Sequence, residues 1–490
     1  MNICIAGQAA PVAWMPHLVS AFQKRGNVIT IGPVPSIVPI GSMPESWPAP
    51  GHIDCPLDQI RSLLDVLPPG WVPDILVTVS GGGVPLLTCT HDLSCPTVFY
   101  SVDTWQCYMD YREALHYDIV FAGQRAFVPL LRAAGCQHVS WLPLACEPAV
   151  HNPLRMVKTS DIGFVGGTRE PVHWRRRALL DALRARHSVI VHDGLYGDSM
   201  RRALAECKLV FNHSAVDDVN MRIFEVLAMG GALLTNRTSQ TSGLFDLFTE
   251  GEHLIVYDDE KDLLAKASHF VTQDAECMRI AMAGKSLVHR EHTYDHRVDT
   301  ILNTVAGLFP GFPAAGARES DRFDFLPKVP GRLLDIGMAV PASKHGLLRR
   351  GVRTFSGYAR NEEVLTKRRG SYHDAGTEMT DRWRESFDTA VIGMPPFDGE
   401  FDLAYGCLAP GGALVARYPK SPEIDSEHSE EFIQHGFHVV RRFVDSEHRR
   451  VIWARKRTRH LRDIAREVCQ TLWVPGVDGE HVASLLDPEW

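Results

Sequence analysis

Short apolar runs alternate with stretches whose apolar positions recur at helical spacing along most of the chain. Ile3–Ala6, a helical stretch near His17–Arg25 and Val28–Ile31 form the first unit, and the runs Ile75–Val79, Thr97–Ser101, Ile119–Phe121 and Val139–Leu142 continue it. Helical spacing appears near Leu57–Leu67 and Gln124–Ala134. Runs of this kind predict parallel strands covered by crossover helices. Residues 143–160 carry Pro143, Pro148 and Pro153 with little periodicity and read as a linker. A second series follows with strands near Asp161–Val165, Ser188–His192, Lys208–Asn212, Ala232–Thr235 and Leu254–Tyr257, and helices near His173, Lys261–Phe270 and Ala275–Leu287; His292–Arg297 then leads into a separate last helix up to about Leu308. After a Pro-, Gly- and Ala-rich loop at Phe309–Arg318, a third α/β pattern starts at Gly331. The expected organisation is two Rossmann-like doubly wound domains over 1–155 and 156–310, a third α/β domain over 320–457, and a helix and tail over 458–490.

Ligands of open α/β sheets sit at the carboxyl ends of strands, so the loops there are read for chemistry. In the first domain these are Ser80–Gly83 and Val102–Trp105, with Asp103 placed either to act as a general base or to cap the next helix. A Pro-rich loop from Pro33 to Pro56 is longer than a simple connection needs and suits a position near an acceptor. In the second domain the first strand ends in Gly166, Gly167 and Thr168, and a helix bearing Arg175, Arg176 and Arg177 follows. A glycine turn, a hydroxyl and one of these cations would together make a diphosphate site. The loop His192–Gly194 reads as an ordinary turn or as the border of a nucleobase.

The stretch Asp217–Gly231 combines helical spacing with unusual chemistry. Met221, Phe224, Leu227 and Ala228 mark an apolar face, Arg222 and Glu225 share a side, and Asp217 sits eight residues before Glu225, ahead of the helix start. A carboxylate near a helix start suits a sugar diol, since it can accept from two adjacent hydroxyls. A surface Arg–Glu pair on an amphipathic helix fits this stretch equally well.

Gly166-Gly167-Thr168, Asn220-x-Arg222-x-Phe224-Glu225 followed by Gly230, the Gly251–Tyr257 segment, and His292-Thr293-Tyr294 with Arg297 together resemble the GT-B glycosyltransferases, nearest to their CgeB-like group. Tyr100–Asp103 and Leu142–Ala145 fit the amino-terminal half, so the resemblance spans roughly residues 1–310. It implies a nucleotide-sugar donor (UDP-, GDP- or dTDP-sugar) on the second domain and an acceptor of unidentified class, protein, glycan or other polymer, on the first. Gly166, Gly167 and Thr168 would hold the diphosphate, Glu225 the ribose, and Arg222 would offset the leaving charge, with Asn220 and Arg175 as further donor contacts. Asp217 stands where an acid-x7-Glu motif places a carboxylate near the transferred sugar, and Asp218 is adjacent to it. Asp103 as base suits inversion at the anomeric carbon, whereas the acid-x7-Glu spacing leans towards retention. The chain holds no Asp-x-Asp pair, so metal-independent transfer with no required cofactor is expected.

Gly331–Gly337, Phe387–Gly393, Leu408–Val415 and a closing pair, Phe437–Val440 with Arg450–Arg455, resemble a class I methyltransferase that uses S-adenosylmethionine. Met338 to Pro341 replace the second glycine of that fold's loop, and no acid follows the strand near Arg353–Ser356. A scaffold, a homo-oligomer surface or an acceptor-docking module is therefore expected here; the alternatives for the whole chain are a non-catalytic binding protein of degenerate enzyme domains, or an S-adenosylmethionine-dependent methyltransferase with an appended sugar-binding module.

Bulk properties narrow the field. The 490 residues are 45% hydrophobic with a formal charge of −8, which disfavours a general nucleic-acid binder. Eleven scattered cysteines without a Cys-x-x-Cys pair read as reduced thiols. His289, His292 and His296 have ligand-like spacing but read as a solvated helix end. No signal-peptide pattern or membrane-length apolar run is visible, so a cytoplasmic location without a membrane partner is expected.

Overall fold

A computed structural model of the chain describes residues 1–9, 14–35, 48–80, 93–105, 109–169, 173–309, 326–338, 351–393, 399–418, 431–444 and 449–459, with a few short pieces between. Gly81–Gly83, the middle of the Pro-rich loop, part of the loop after Gly337 and most of the tail beyond Arg459 lie outside the described residues.

The first sheet contains β1 (Asn2–Ala6), β2 (Asn27–Ile31), β3 (Ile75–Ser80), β4 (Thr97–Ser101), β5 (Ile119–Ala122) and β6 (Val139–Trp141) in the order β2-β1-β3-β4-β5-β6, every pair parallel. β3, β4 and β5 are buried at every position, as strands covered on both faces must be. α1 (Met15–Gln23) buries Met15, Leu18, Val19 and Phe22 against this sheet. The helix expected over Leu57–Leu67 is only a 3-10 turn at Leu57–Gln59 and a single turn, α2, at Leu63–Val66. α3 (Asp110–Glu113) and α4 (Val128–Ala134) complete this part, and Gly135 ends α4 in the left-handed region.

The second sheet has the order β11-β10-β9-β7-β8, again parallel, from β7 (Ser160–Val165), β8 (Val189–His192), β9 (Cys207–Phe211), β10 (Ala232–Asn236) and β11 (Ile255–Tyr257). Its helices are α5 (Trp174–Arg184), α6 (Gly197–Ala205), α7 (Met221–Ala228), α8 (Leu244–Leu247), α9 (Glu260–Phe270) and α10 (Asp274–Glu291). α6 escaped the sequence reading because only Met200 and Leu204 of its nine residues are buried. α11 (Tyr294–Leu308) follows the second sheet in the chain, yet its Val298, Ile301 and Val305 join the core beneath α1. The third sheet runs β14-β13-β12-β15-β16-β18-β17, from β12 (Gly331–Ile336), β13 (Val352–Tyr358), β14 (Asp374–Gly376), β15 (Phe387–Gly393), β16 (Leu408–Tyr418), β17 (Phe437–Val444) and β18 (Arg450–Lys456). β18 is antiparallel to both its neighbours. The fold is α/β, with two parallel Rossmann-like sheets and a third, mixed sheet.

Polar stitches hold the sheets together. Arg297, buried on α11, donates from Nε to Pro143 O (2.7 Å) and from Nη2 to Leu144 O (3.1 Å), while its guanidinium lies over the Phe224 ring. Asp295 accepts from Lys24 and Arg25 beyond α1. On the other flank, buried Arg455 donates to Gln137 Oε1 at 2.7 Å, and Val440 joins the core of the first sheet. The third sheet is thereby docked on the first.

Candidate active site

In the second sheet the strand order reverses between β7 and β9. At such a point the following helices leave on opposite faces and a crevice opens at the carboxyl edge. A cavity of about 320 Å³ lies there. Val165 and Gly166 line it from β7, Asn212 from β9, Asp218–Arg222 from the start of α7, and Asp103 and Gln124 from the first sheet. Gly166 has φ +155°.

α7 is buried almost all round, Ile223 to Ala228 without a break, so it is wedged inside the domain and its start is held at the crevice. Asn220 enters it in extended conformation without capping it; Nδ2 donates to Asn212 Oδ1 at 3.3 Å, and the buried Oδ1 has no partner. Gly230, φ +71°, lets the chain turn out of the helix.

Arg222 reaches the crevice and also donates from Nη1 to Glu225 Oε2 at 2.6 Å. Glu225 lies beneath it, its side chain 4% exposed, with His151 Nε2 3.5 Å from Oε1. The surface-pair reading of Arg222 and Glu225 is thereby excluded. Glu225 does not line the crevice, because Arg222 covers it.

The two adjacent aspartates face different spaces. Asp217, at φ 56°, accepts from Ser239 N at 2.7 Å and from the Ser239 hydroxyl, and lines an outer cavity beyond the crevice. Asp218 lines the crevice, accepts from Gln124 Nε2 across the seam at 3.2 Å and from the Ser214 hydroxyl, and burial raises its pKa against the pull of those bonds. The acid-x7-Glu spacing falls on Asp217, and of the two adjacent acids it is Asp218 that lines the crevice. Asp103 also lines the crevice.

Among the arginines of α5, Arg176 is the one bound into the site. It donates to Gly167 O (2.8 Å) and His213 O (2.7 Å), stacks over Phe164, and lines both cavities. Burial pulls its pKa down to about 10, with Asp218 opposing that shift. Arg175 is exposed and lines only the outer cavity. Gly167 contributes a carbonyl to Arg176, while Thr168 is partly exposed and lines neither cavity. His192 and Asp193 are exposed and line neither cavity; Tyr196, three residues further on and missed in the sequence, lines the crevice. Asn212 and Gln124 were likewise missed, since neither belongs to a recognisable pattern.

His292 corrects the solvated-end reading of its cluster. It is buried against Phe224 and Phe248 and its Nδ1 is 3.2 Å from Arg297 Nη2, while His289 meets Ala228 O and His296 caps α11 with Thr293. Among the described residues no group of three or more His, Cys, Asp or Glu could hold a metal ion. The nine cysteines among them are free thiols. No helix of the described residues is long and apolar enough to cross a membrane.

Residues 152–303 match the family described as glycosyl transferase-like, a span that contains the whole second sheet. No curated protein matches the chain. Among solved structures, an alpha-glucosyltransferase in complex with UDP and a 13-mer DNA containing a central A:G mismatch is similar over 62% of this chain and 100% of its own, at 12% identity and a TM-score of 0.45. Sucrose-phosphate synthase from Thermosynechococcus elongatus is similar over 63% and 99%, at 11% identity and 0.45. The Anabaena protein HepE in complex with UDP-glucose is similar over 63% and 100%, at 13% identity and 0.44.

Proposed function

We propose that the chain is a glycosyltransferase that moves a sugar from a UDP-, GDP- or dTDP-sugar to an acceptor without a metal ion. One observation carries this reading: two guanidinium groups, Arg176 and Arg222, and the unpartnered Asn220 Oδ1 converge at the start of α7 on a crevice that Asp103 and Asp218 also face. Desolvated cations at a helix start stabilise a departing diphosphate. In the proposed step the acceptor oxygen bonds to the anomeric carbon as the bond from that carbon to the diphosphate oxygen breaks. The hydroxyl proton goes to Asp103, and the electron pair leaves with the nucleoside diphosphate, met by Arg222 and Arg176. Gly166 supplies the backbone contact at the turn, and Gly167 holds Arg176 in place through its carbonyl. Glu225 takes the ribose diol once Arg222 exchanges its carboxylate for the diphosphate.

The third domain is a scaffold on this reading. A Cβ at Gly337 would meet Arg360 Nε at 3.6 Å and Glu400 Oε1 at 3.9 Å, and those two side chains are paired at 2.7 Å across the carboxyl edge where S-adenosylmethionine would need room.

The test is nucleoside diphosphate release by the full chain from each of the three donors, with chelator present. Arg222→Ala should lower the rate about 10²–10³-fold, as loss of one preorganised donor does. Equal rates for wild type and variant would remove Arg222 from the reaction.

A further inference from the structure

The larger cavity, about 400 Å³, lies outside the switch point, at the carboxyl ends of β9, β10 and β11. Arg176 is the wall it shares with the crevice, and Trp105 reaches it from the first sheet, so the space lies on the seam. Its chemistry differs from that of the crevice. Two indoles, Trp105 and Trp174, line it, the second half exposed, beside His213 and Tyr257, which stack with ring centroids 6.3 Å apart.

Charge decides what it suits. Four carboxylates, Asp217, Asp258, Asp259 and Glu260, stand against three guanidinium groups, and one of these, Arg237, is already paired with Asp258 and Glu250. A nucleotide or phosphate would meet no surplus of positive charge here. A neutral sugar has the opposite requirements: apolar C–H faces that lie on aromatic rings, and hydroxyl edges that bond to carboxylates, amides and guanidinium groups. The buried Nδ1 of His173, on the same wall, has no partner and offers one more such contact.

We infer that this cavity binds a neutral carbohydrate, and that it is the acceptor site beside the donor crevice. The acceptor role rests on the glycosyl-transfer reading, whereas the carbohydrate site does not. A glycan seated here reaches the crevice past Arg176, which brings its terminal hydroxyl towards Asp103 and Asp218. The acceptor class is then a glycan or a glycosylated polymer.

The experiment uses the full chain on an array of neutral oligosaccharides, followed by titration of the bound ones against tryptophan fluorescence. Wild type should bind at least one, with a change in indole emission. Trp174→Ala should weaken that binding at least tenfold while leaving the melting-temperature shift given by UDP, GDP or dTDP unchanged. Arg222→Ala should do the reverse, losing the nucleotide shift and keeping the oligosaccharide. Absence of any bound oligosaccharide, or equal binding by wild type and Trp174→Ala, overturns the site. Loss of the nucleotide shift in Trp174→Ala would assign the cavity to the donor and overturn it too. Oligosaccharide binding without any nucleotide shift would sustain the site and sink the transfer reading alone.

Discussion

Removing Arg222 strands Glu225, and the structure sets the size of the effect. The two side chains are 14% and 4% exposed and joined at 2.6 Å, and His151 Nε2 lies 3.5 Å from the other carboxylate oxygen. Breaking a buried pair from one side costs about 3–5 kcal/mol, most of it from the charge left behind. Arg222 touches the crevice, where water softens the penalty, so Arg222→Met should fall near the lower bound, about 3 kcal/mol. Glu225→Gln keeps the arginine in reach of that water and should cost about 1 kcal/mol, the net worth of an ordinary hydrogen bond. The double variant carries no stranded charge and should resemble Glu225→Gln, which leaves a coupling of roughly 3 kcal/mol. The assay is urea unfolding of all four proteins at pH 8. Single costs that add to within about 0.5 kcal/mol would refute the buried-pair geometry.

Asp218→Asn should lower turnover at least tenfold, whereas Asp217→Asn should lose melting temperature through Ser239 with little change in rate; matched rates for the two would reverse the assignment. Burial pulls His17 down to about 4 and His151 down to about 3, and their rings lie 5.4 Å apart at the seam. Their folded pKa values lie below the unfolded value of 6.5, so the unfolded chain binds more protons in between; stability is full above about pH 6.5 and falls as pH drops towards 4. His151→Gln should flatten that fall in urea midpoints taken from pH 8 to pH 4.5. Arg297→Met leaves the Pro143 and Leu144 carbonyls unpaired and should cost about 3 kcal/mol or more in the same assay.

The sheets were legible because parallel strands need unbroken apolar runs and the linking helices need one apolar stripe. β3 as ILVTVS and α11 with its Thr293 cap follow local rules. What joins distant segments was not legible. Nothing near Arg297 announces that it bonds to carbonyls in the 143–144 linker, and nothing near Asp218 announces Gln124. The site residues divide in the same way. Arg222, Asn220, Gly166 and Asp103 carry motif or strand-end signals and stand on the crevice. Arg176 was indistinguishable from Arg175 by composition, since only the path of α5 past Gly167 decides which guanidinium is buried. Glu225 was placed on the correct helix, but its cover by Arg222 depends on how tightly α7 is packed, and spacing alone carries no such information.

Calorimetric titration of UDP, GDP and dTDP into the full chain with EDTA present tests the central claim most directly. One of the three should bind at a single site, and Arg176→Ala should weaken it about 10–100-fold, the worth of a charge-assisted hydrogen bond at roughly 1.5–3 kcal/mol. No heat from any of the three, or the same affinity in Arg176→Ala, would contradict a diphosphate site at the β7–β9 crevice.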